Sequence, residues 1–302
     1  MVLCFICLIF APCLSKHQLK KHQIMGVVIG IDVGGSTTKI VGIKEGDQLQ
    51  SPMCITAADP VTSLFGAFGK YIYDNGIELD DIEQVVLTGV GSAYVNSPLY
   101  GLPTKKIDEF IANGLGARHA LDISPLIVVS MGTGTSFVKI CQDKIEHIAG
   151  IGMGGGTLQG LSRLLLNTHD IHYVSELAEQ GDYNKIDLLI GDVCNTDLPG
   201  LPLHATASLF GKADTTSTHE DVAAGIVHMV MQTIGSAAVL CSLSTKVKDF
   251  VLIGNLTLMP QCREVFKDLE ELYGVRFHIP AYSEYCTAIG AALSHLHPKP
   301  QE

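Results

Sequence analysis

The sequence predicts a duplicated α/β protein whose two units, each a mixed sheet flanked by helices, enclose a cleft. Two observations lead to this fold class. Near residue 26, and again near residue 126, the chain runs strand, glycine turn, strand, turn, strand, and then continues into helices. Each first glycine turn is followed by an extended, β-branched segment, whereas in a dinucleotide-binding unit the first glycine loop leads into a helix. With 47% hydrophobic residues in 302, the chain can build two cores.

The first unit is predicted to span residues 25–121. Apolar runs predict four strands, at 26–32, 37–43, 49–55 and 83–88. Asp59 and Pro60 provide an N-cap and a first-turn proline, so a helix is expected to begin there and to end at Gly76. Helical periodicity returns over 106–121.

The second unit is predicted to span residues 122–302. Its strands are predicted at 126–130, 135–140, 144–149, 249–253 and 275–279. Its helices are predicted at 157–166, 173–180, 219–242, 262–273 and 283–296. The stretch 192–213, rich in proline and threonine, is expected to be irregular.

Residues 1–24 do not match the rest of the chain. An apolar run at 2–14 is followed by a basic segment. The run is shorter than the roughly 20 residues that a membrane span needs, and no positive charge precedes it as in a signal peptide. We interpret residues 1–24 as an N-terminal extension or a mis-called start, and no membrane association is expected.

Charge and cysteine content narrow the class of protein. Twenty Lys and Arg against 31 Asp and Glu give a formal charge of −11, which disfavours a nucleic-acid partner or an anionic membrane surface. Glycine-rich backbone can still bind phosphate locally. Nine cysteines are scattered through apolar stretches without zinc spacing. They are typical of reduced, buried thiols in a cytoplasmic protein.

The first glycine loop carries the chemistry of a phosphate site. It supplies Asp32, Gly34, Gly35, Ser36, Thr37, Thr38 and Lys39. Glycines let backbone N–H groups approach phosphate, the hydroxyls add donors and the lysine adds a charge. Because a carboxylate repels phosphate, the aspartate is expected to hold Mg²⁺ through water. The alternative is a plain hairpin turn with solvated charges.

The second unit repeats this pattern at Met131–Ser136, with Thr133 at its centre. Two such loops can grip one nucleotide from both sides of a cleft. Further along, six glycines fall within residues 150–160, at the entry to a predicted helix, and Gly254-Asn255 ends a late strand. Both segments suit close approach of backbone to a ligand.

Taken together, these stretches resemble the type II pantothenate kinases, a family of the acetate and sugar kinase/Hsp70/actin superfamily. The matching stretches are GIDVGGSTTKIV (30–41), LTGVG (87–91), IDEF (107–110), SMGTGTS (130–136), GIGMGGGTLQGL (150–161), EQGDYNKIDL (179–188) and LIGN (252–255). The resemblance implies actin-like ATPase domains of the ribonuclease H-like type and a homodimer. It also implies ATP-dependent phosphorylation of pantothenate to 4′-phosphopantothenate, the first step of coenzyme A biosynthesis.

The resemblance also assigns roles to residues. Glu109 occupies the position of the general base, and a carboxylate there would take the proton of the attacking hydroxyl. Its neighbour Asp108 is a competing choice. ATP contacts are expected from Gly155, Gly156, Thr157, Leu158, Gln159, Gly254 and Asn255. Contacts with the acceptor are expected from Ser130, Ser136 and His147.

His147 departs from the family, which usually has arginine there. Histidine is shorter than arginine and only partly charged near neutral pH. The sequence therefore does not fix the identity of the acceptor or the rate of turnover. Another cation could take the role, and the candidates are Lys105, Lys106, Arg118 and Arg163.

Two other classes of protein share parts of the pattern. The activators of 2-hydroxyacyl-CoA dehydratases begin with a similar motif, but they hold an iron–sulfur cluster on cysteines. The spacing of Cys141, Cys194, Cys241 and Cys262 does not fit that use. A non-catalytic nucleotide-binding regulator is the other alternative, given the lost arginine.

Overall fold

A computed structural model of the chain describes residues 26–44, 47–56, 59–196, 199–200 and 202–297. The prediction of an N-terminal extension over residues 1–24 therefore falls outside the described residues. Within them, the chain forms two large sheets, a two-stranded ribbon and eight α-helices.

The first half forms a mixed six-stranded sheet. Its strands are β1 (Val27–Val33), β2 (Thr37–Lys44), β3 (Gln48–Leu49), β4 (Met53–Thr56), β5 (Ile82–Thr88) and β6 (Thr104–Lys106). Their order is β3-β2-β1-β5-β6, and β4 also pairs with β2. Strand β1 is antiparallel to β2 and parallel to β5, and Asp32 at its end faces Lys39 on one side and Thr88 on the other.

The second half repeats this arrangement. Its strands are β7 (Leu126–Met131), β8 (Thr135–Cys141), β9 (Lys144–Ile151), β10 (Leu188–Leu189), β11 (Thr206–Ser208), β12 (Asp249–Ile253) and β13 (Arg276–His278). The large sheet has the order β13-β12-β7-β8-β9, while β10 and β11 form the ribbon. Because β7 is antiparallel to β8 and parallel to β12, it repeats the position of β1. The predicted duplication is confirmed.

The helices are α1 (Pro60–Asn75), α2 (Glu109–Ala120), α3 (Gly155–Leu166), α4 (Ile171–Gln180), α5 (Ile190–Val193), α6 (His219–Ser242), α7 (Pro260–Tyr273) and α8 (Cys286–Leu296). Helix α1 follows its predicted signals: the Asp59 side chain accepts a hydrogen bond from the Thr62 N–H, and Gly76 ends the helix in the left-handed region. Helix α6 has the predicted bounds.

Helices α3, α4 and α7 each begin two residues earlier than predicted, and β11 lies in the stretch predicted to be irregular. Three further elements differ in type or continuity. The strand expected over 49–55 is divided into β3 and β4, which pair with different parts of β2, and Pro52, which has no N–H to donate, lies in the break. The helix expected from 106 begins at Glu109, because residues 104–106 pair with β5 as β6. In the predicted helix 283–296, the first three residues form a 3-10 turn before α8.

Helices α2 and α8 lie between the two large sheets. Ala112 on α2 and Ala288 on α8 pack in a cluster with β1, β2 and β5, while Ala117 and Cys286 on the same helices pack with β7, β8 and β12. The helix backbones approach so closely that a Cβ at Gly290 would overlap the Ala112 carbonyl. The division of the chain into two units at residue 121 stays a prediction. Helix α8 belongs to the second unit in sequence, but it packs on the sheet of the first unit.

Helix α6 is long and apolar enough to cross a membrane by length and composition. Most of its apolar stretch, 61%, is buried inside the protein. It packs against α3, α4 and α7 beside the second sheet, with Ile226, Val230 and Ile234 fully buried. Core packing therefore accounts for its composition.

Candidate functional site

The two glycine loops meet across the cleft. The Ser36 hydroxyl oxygen lies 3.4 Å from that of Thr133. Each loop is closed by its own backbone hydrogen bond, from the Gly34 N–H to the Thr37 carbonyl and from the Gly132 N–H to the Gly134 carbonyl, both 2.9 Å. Two turns at the ends of β1 and β7 thus present hydroxyls and small residues to one shared space.

Asp32 lies at the base of the first loop. Burial raises the pKa of its carboxyl, and the nearby Lys39 ammonium, which is itself only 6% exposed, opposes that effect. Gly89 fits closely against it with φ +83°, and a Cβ there would lie 2.5 Å from the Asp32 Oδ1. The hydroxyl of Thr88 is buried without a hydrogen-bond partner beside the same strand end.

Thr88 and Gly89 belong to the site in the structure, yet sequence reasoning gave them no role. The signal was present, because the stretch 87–91 was one of the matching motifs. What the sequence lacks is the parallel pairing of β1 with β5, which places Thr88 opposite Asp32.

Glu109 is the first residue of α2 and is partly buried at the cleft. Burial, together with the negative charges of Asp32 and Asp108, raises the pKa of its carboxyl to about 7, although the Lys39 ammonium opposes the rise. Because the charges of Asp32 and Lys39 act on it, the Glu109 carboxyl lies within electrostatic reach of the first loop. A carboxyl with a pKa near neutrality is suited to proton transfer.

Asp108 has a different role in the structure. Its carboxylate caps α2 by accepting hydrogen bonds from the N–H groups of Phe110 (2.9 Å) and Ile111 (3.1 Å). The two neighbouring acids are thereby distinguished, since Asp108 is used by the helix and Glu109 is not.

The start of α3 packs on the second loop. The N–H groups of Gly155 and Gly156 donate to the carbonyls of Gly132 (2.8 Å) and Thr133 (2.9 Å). Any side chain at Gly154 would collide with these carbonyls. The glycines therefore serve the contact between two backbone segments, and these two N–H groups are already used within the protein.

The remaining predicted nucleotide residues on α3 differ from one another. The Thr157 hydroxyl donates to the Gly152 carbonyl at 3.0 Å. The side chain of Leu158 is fully buried in the second core, so it does not reach the cleft. The Gln159 amide donates to the His169 carbonyl at 3.3 Å and is partly exposed.

Gly254 and Asn255 lie behind the second loop. Gly254 has φ +100°, and a Cβ there would overlap the Met131 carbonyl, so only glycine fits. Its N–H donates to the Ser283 carbonyl at 3.1 Å, and the partly exposed Asn255 begins a 3-10 turn. This segment and the start of α3 both border the second loop.

Of the residues expected to contact the acceptor, Ser130 and Ser136 are register partners at the ends of β7 and β8 and are partly buried. His147 on β9 stacks on Phe110, with ring centroids 4.0 Å apart and 16° between planes. The histidine therefore lies beside the residue that follows Glu109.

The alternative cations are placed differently. Arg118 pairs with Asp143 at 3.2 Å, and the Lys105 ammonium lies 3.3 Å from the His295 Nδ1. Lys106 and Arg163 are exposed. None of these contacts involves a glycine loop, whereas His147 contacts the start of α2.

The described part of the chain contains no group of three His, Cys, Asp or Glu side chains that could hold a metal ion. Asp32, a carboxylate beside two loops with small residues, is the donor that fits a Mg²⁺ accompanying a nucleotide. Oxygen donors and room for water are what this ion requires.

Two like α/β units with paired glycine loops facing across a cleft are the arrangement of the actin-like fold. Solved structures agree. The activator of 2-hydroxyisocaproyl-CoA dehydratase from Clostridium difficile with bound ADPNP has a TM-score of 0.66 at 16% identity, covering 91% of this chain and 99% of its own. A ROK family glucokinase from Streptomyces griseus with glucose and AMPPNP has a TM-score of 0.56 at 12% identity, covering 88% and 98%. At these identities the likeness shows the fold, and the predicted fold class is confirmed.

Sequence comparison is more specific. The Fumble family model matches residues 108–265, more than half of the chain, and the chain belongs to the Fumble family. The type II pantothenate kinase of Bacillus cereus is 29% identical over 248 residues, which are 76% of this chain and 83% of that protein. The type II pantothenate kinase of Staphylococcus aureus is 28% identical over 276 residues, or 87% and 97%. The resemblance inferred from the motifs is confirmed.

Proposed function

We propose that this protein transfers the γ-phosphoryl group of ATP to the primary hydroxyl of pantothenate, giving 4′-phosphopantothenate and ADP, the first step of coenzyme A biosynthesis. The observation that carries the proposal is the carboxyl of Glu109, delivered by α2 to the first glycine loop with a pKa of about 7. Membership of the Fumble family and the named relatives support the acceptor.

In this proposal the phosphates lie between the loops at 32–39 and 131–136, and the nucleotide base lies near α3 and Gly254-Asn255. Loop N–H groups and the hydroxyls of Ser36 and Thr133 donate to phosphate oxygens. Mg²⁺, held by Asp32 through water, would neutralise charge on the phosphates. Lys39 supplies a fixed positive charge next to Asp32.

The acceptor hydroxyl attacks the γ-phosphorus. A bond forms between that oxygen and phosphorus, the bond from phosphorus to the β–γ bridging oxygen breaks, and ADP leaves with the electron pair. Glu109 aligns the hydroxyl and takes its proton. Closure of the two halves would exclude water and so limit ATP hydrolysis.

A coupled ADP-release assay tests the proposal with four acceptor conditions: pantothenate, pantetheine, N-acetylglucosamine and none. We expect saturable ADP release with pantothenate, with at most about a tenth of that rate without acceptor, since positioning of the hydroxyl is needed for transfer. ADP release at an equal rate in all four conditions would indicate an ATPase. A lack of ADP release in every condition would favour a non-catalytic regulator.

The dehydratase activators share the fold, but no observation favours their function here. Cys262 is buried and Cys141 is exposed, and the cysteines of the described residues form no metal-binding group. A purified protein without visible absorption from iron–sulfur chemistry would agree with the kinase proposal.

We also propose, from the family resemblance, that the protein is a cytoplasmic homodimer. Light scattering on the purified protein tests the assembly, and fractionation of cells tests the compartment. A monomer at micromolar concentration would contradict the first part.

A further inference from the structure

Two buried hydroxyl groups hold the segment that follows β12. Thr257 and Ser283 are 6% and 4% exposed, and their side-chain oxygens lie 2.7 Å apart. Thr257 belongs to the 3-10 turn Asn255–Leu258, and Ser283 begins the 3-10 turn before α8. The hydroxyl pair therefore joins two chain segments that are 26 positions apart in the sequence.

The hydrogen bonds of this pair run in one direction. The Thr257 hydroxyl donates to the Gly254 carbonyl at 2.7 Å. Because a hydroxyl carries a single proton, the Ser283 hydroxyl is the donor within the pair, and the Thr257 Oγ1 accepts. Both hydroxyls are thereby committed to holding Gly254, and their burial makes the loss of either bond costly.

Thr257 and Ser283 also fix both backbone polar groups of Gly254. The Gly254 carbonyl accepts a second hydrogen bond from the Thr257 N–H, and the Gly254 N–H donates to the Ser283 carbonyl, both at 3.1 Å. The backbone of Gly254, at φ +100° and ψ 173°, lies in a region that persists only where the surroundings hold it. The direction in which the chain leaves Gly254 toward Asn255 therefore depends on these two residues.

Ser283 is anchored where the two halves of the protein meet. It shortly precedes α8, and the Thr287 hydroxyl on α8 donates to the Asn113 side chain on α2 at 2.7 Å, with both residues buried. On its other side, Gly254 packs on the second glycine loop, where a Cβ would overlap the Met131 carbonyl. The hydroxyl pair thus fixes the spacing between the second loop and the segment after Gly254.

We propose that Thr257 and Ser283 are positioning residues for the base of the bound nucleotide. Both are buried and act through the backbone, by holding Gly254-Asn255 at the distance from the second loop that a base requires when its phosphates occupy that loop. The inference rests on the proposed function, which puts the base beside Gly254-Asn255. Loss of the Thr257 hydroxyl should weaken nucleotide binding and leave proton transfer at Glu109 intact.

Thr257→Val tests the proposal in the full chain, because valine keeps the shape of the side chain and removes the hydroxyl. Calorimetric titration should show about tenfold weaker binding of Mg²⁺·ADP, the effect of losing about one hydrogen bond. In steady-state kinetics the KM for ATP should rise about tenfold, while kcat and the KM for pantothenate stay within about twofold. A general loosening of the structure would change all three constants. Thr257→Ser keeps the hydroxyl and should restore the binding of Mg²⁺·ADP.

The matched control is Ser242→Ala at the end of α6. The Ser242 hydroxyl donates to the Val239 carbonyl at 2.7 Å, three positions earlier as for Thr257 and Gly254, and the residue is 5% exposed. Urea unfolding should therefore show comparable losses of stability in Ser242→Ala and Thr257→Val. The affinity of Ser242→Ala for Mg²⁺·ADP should stay within about twofold of the wild type, because this hydroxyl holds no part of the nucleotide site.

Ser283→Ala removes only the bond between the two hydroxyls, so it decides the question even if Thr257→Val does not fold. It should also weaken the binding of Mg²⁺·ADP, by about threefold or more. Unchanged affinity in these variants, with binding intact in the wild type, overturns this inference and leaves the kinase proposal in place. An equal loss of affinity in Ser242→Ala overturns it as well. A wild-type chain that does not bind Mg²⁺·ADP overturns the kinase proposal, and this inference with it.

Discussion

Ser36 and Thr133 are 97 positions apart in the sequence, and their hydroxyl oxygens lie 3.4 Å apart. Each residue lies in the turn after the first strand of its half, so the contact joins equivalent points of the duplicated units. Helix α2 brings Glu109 within electrostatic reach of Asp32 and Lys39, which flank the first of these turns. The proposed chemistry depends on this convergence.

We expect Glu109→Gln to lower kcat about 100-fold or more, because glutamine cannot take the proton. The affinity for ATP should change little.

At pH 8 the Glu109→Gln variant should be at least as stable as the wild type. The raised pKa means that the folded state favours the protonated form. Stability contributed by this carboxyl is therefore present below pH 4.5 and is lost as the pH rises through about 7.

The matched control is Asp108→Asn, one position earlier. Asparagine also caps helices, so the free energy of unfolding should fall by no more than about 1 kcal/mol, and kcat should stay within a few-fold. Steady-state kinetics and urea unfolding check both variants. Wild-type turnover in Glu109→Gln would refute the assignment of the base.

The pH dependence of kcat/KM gives an independent measure. A base must be ionised to act, so kcat/KM should rise about tenfold per pH unit below about 7 and level off above it. The rising limb should disappear in Glu109→Gln. A profile that is already flat from pH 5 upwards would contradict a base with this pKa.

Local signals in the sequence were sufficient for several elements. Helix α1 has its cap at Asp59 and its stop at Gly76, and these depend only on neighbouring residues. The sequence was insufficient where pairing between distant segments decided the outcome. Lys106 was predicted to begin a helix but pairs with Leu87 on β5, because the edge of the first sheet offers hydrogen bonds that outweigh a weak local preference.

The site shows the same division. Both glycine loops could be predicted because glycine runs are visible in the sequence. Glu109 could be predicted because the order of these motifs resembles a known family. It could not tell which atoms those glycines face. The N–H groups of Gly155 and Gly156 bind the second loop, and Leu158 faces the core. Both outcomes depend on how α3 packs.

Gly89→Ala should disrupt the base of the first loop. Its backbone, at φ +83° and ψ 159°, lies in a region that is almost restricted to glycine, at a cost of about 1–3 kcal/mol for other residues. The added Cβ would also displace the Asp32 carboxylate. We expect a lower free energy of unfolding and weaker binding of Mg²⁺·ATP.

Gly66→Ala is the control for that substitution. Gly66 lies within α1 with nothing within 4 Å of a Cβ, so alanine should stabilise the protein by about 0.5–1 kcal/mol through helix propensity. Urea unfolding and nucleotide titration compare the two. If Gly89→Ala binds the nucleotide as tightly as the wild type, the position of the Asp32 carboxylate does not matter for nucleotide binding.

His147→Arg restores the residue usual in the family and tests whether this position contacts the acceptor. His147 stacks on Phe110, next to Glu109, so a longer side chain from the same strand can extend along the ring toward the cleft. Pantothenate carries a carboxylate, and a guanidinium can bind it with two hydrogen bonds. We expect the KM for pantothenate to fall about tenfold, with the KM for ATP unchanged. His172→Arg, which adds the same charge at an exposed position on α4, should change neither constant. If the KM for pantothenate and kcat are the same in His147→Arg as in the wild type, residue 147 does not contact the acceptor, and the specificity of the site lies elsewhere.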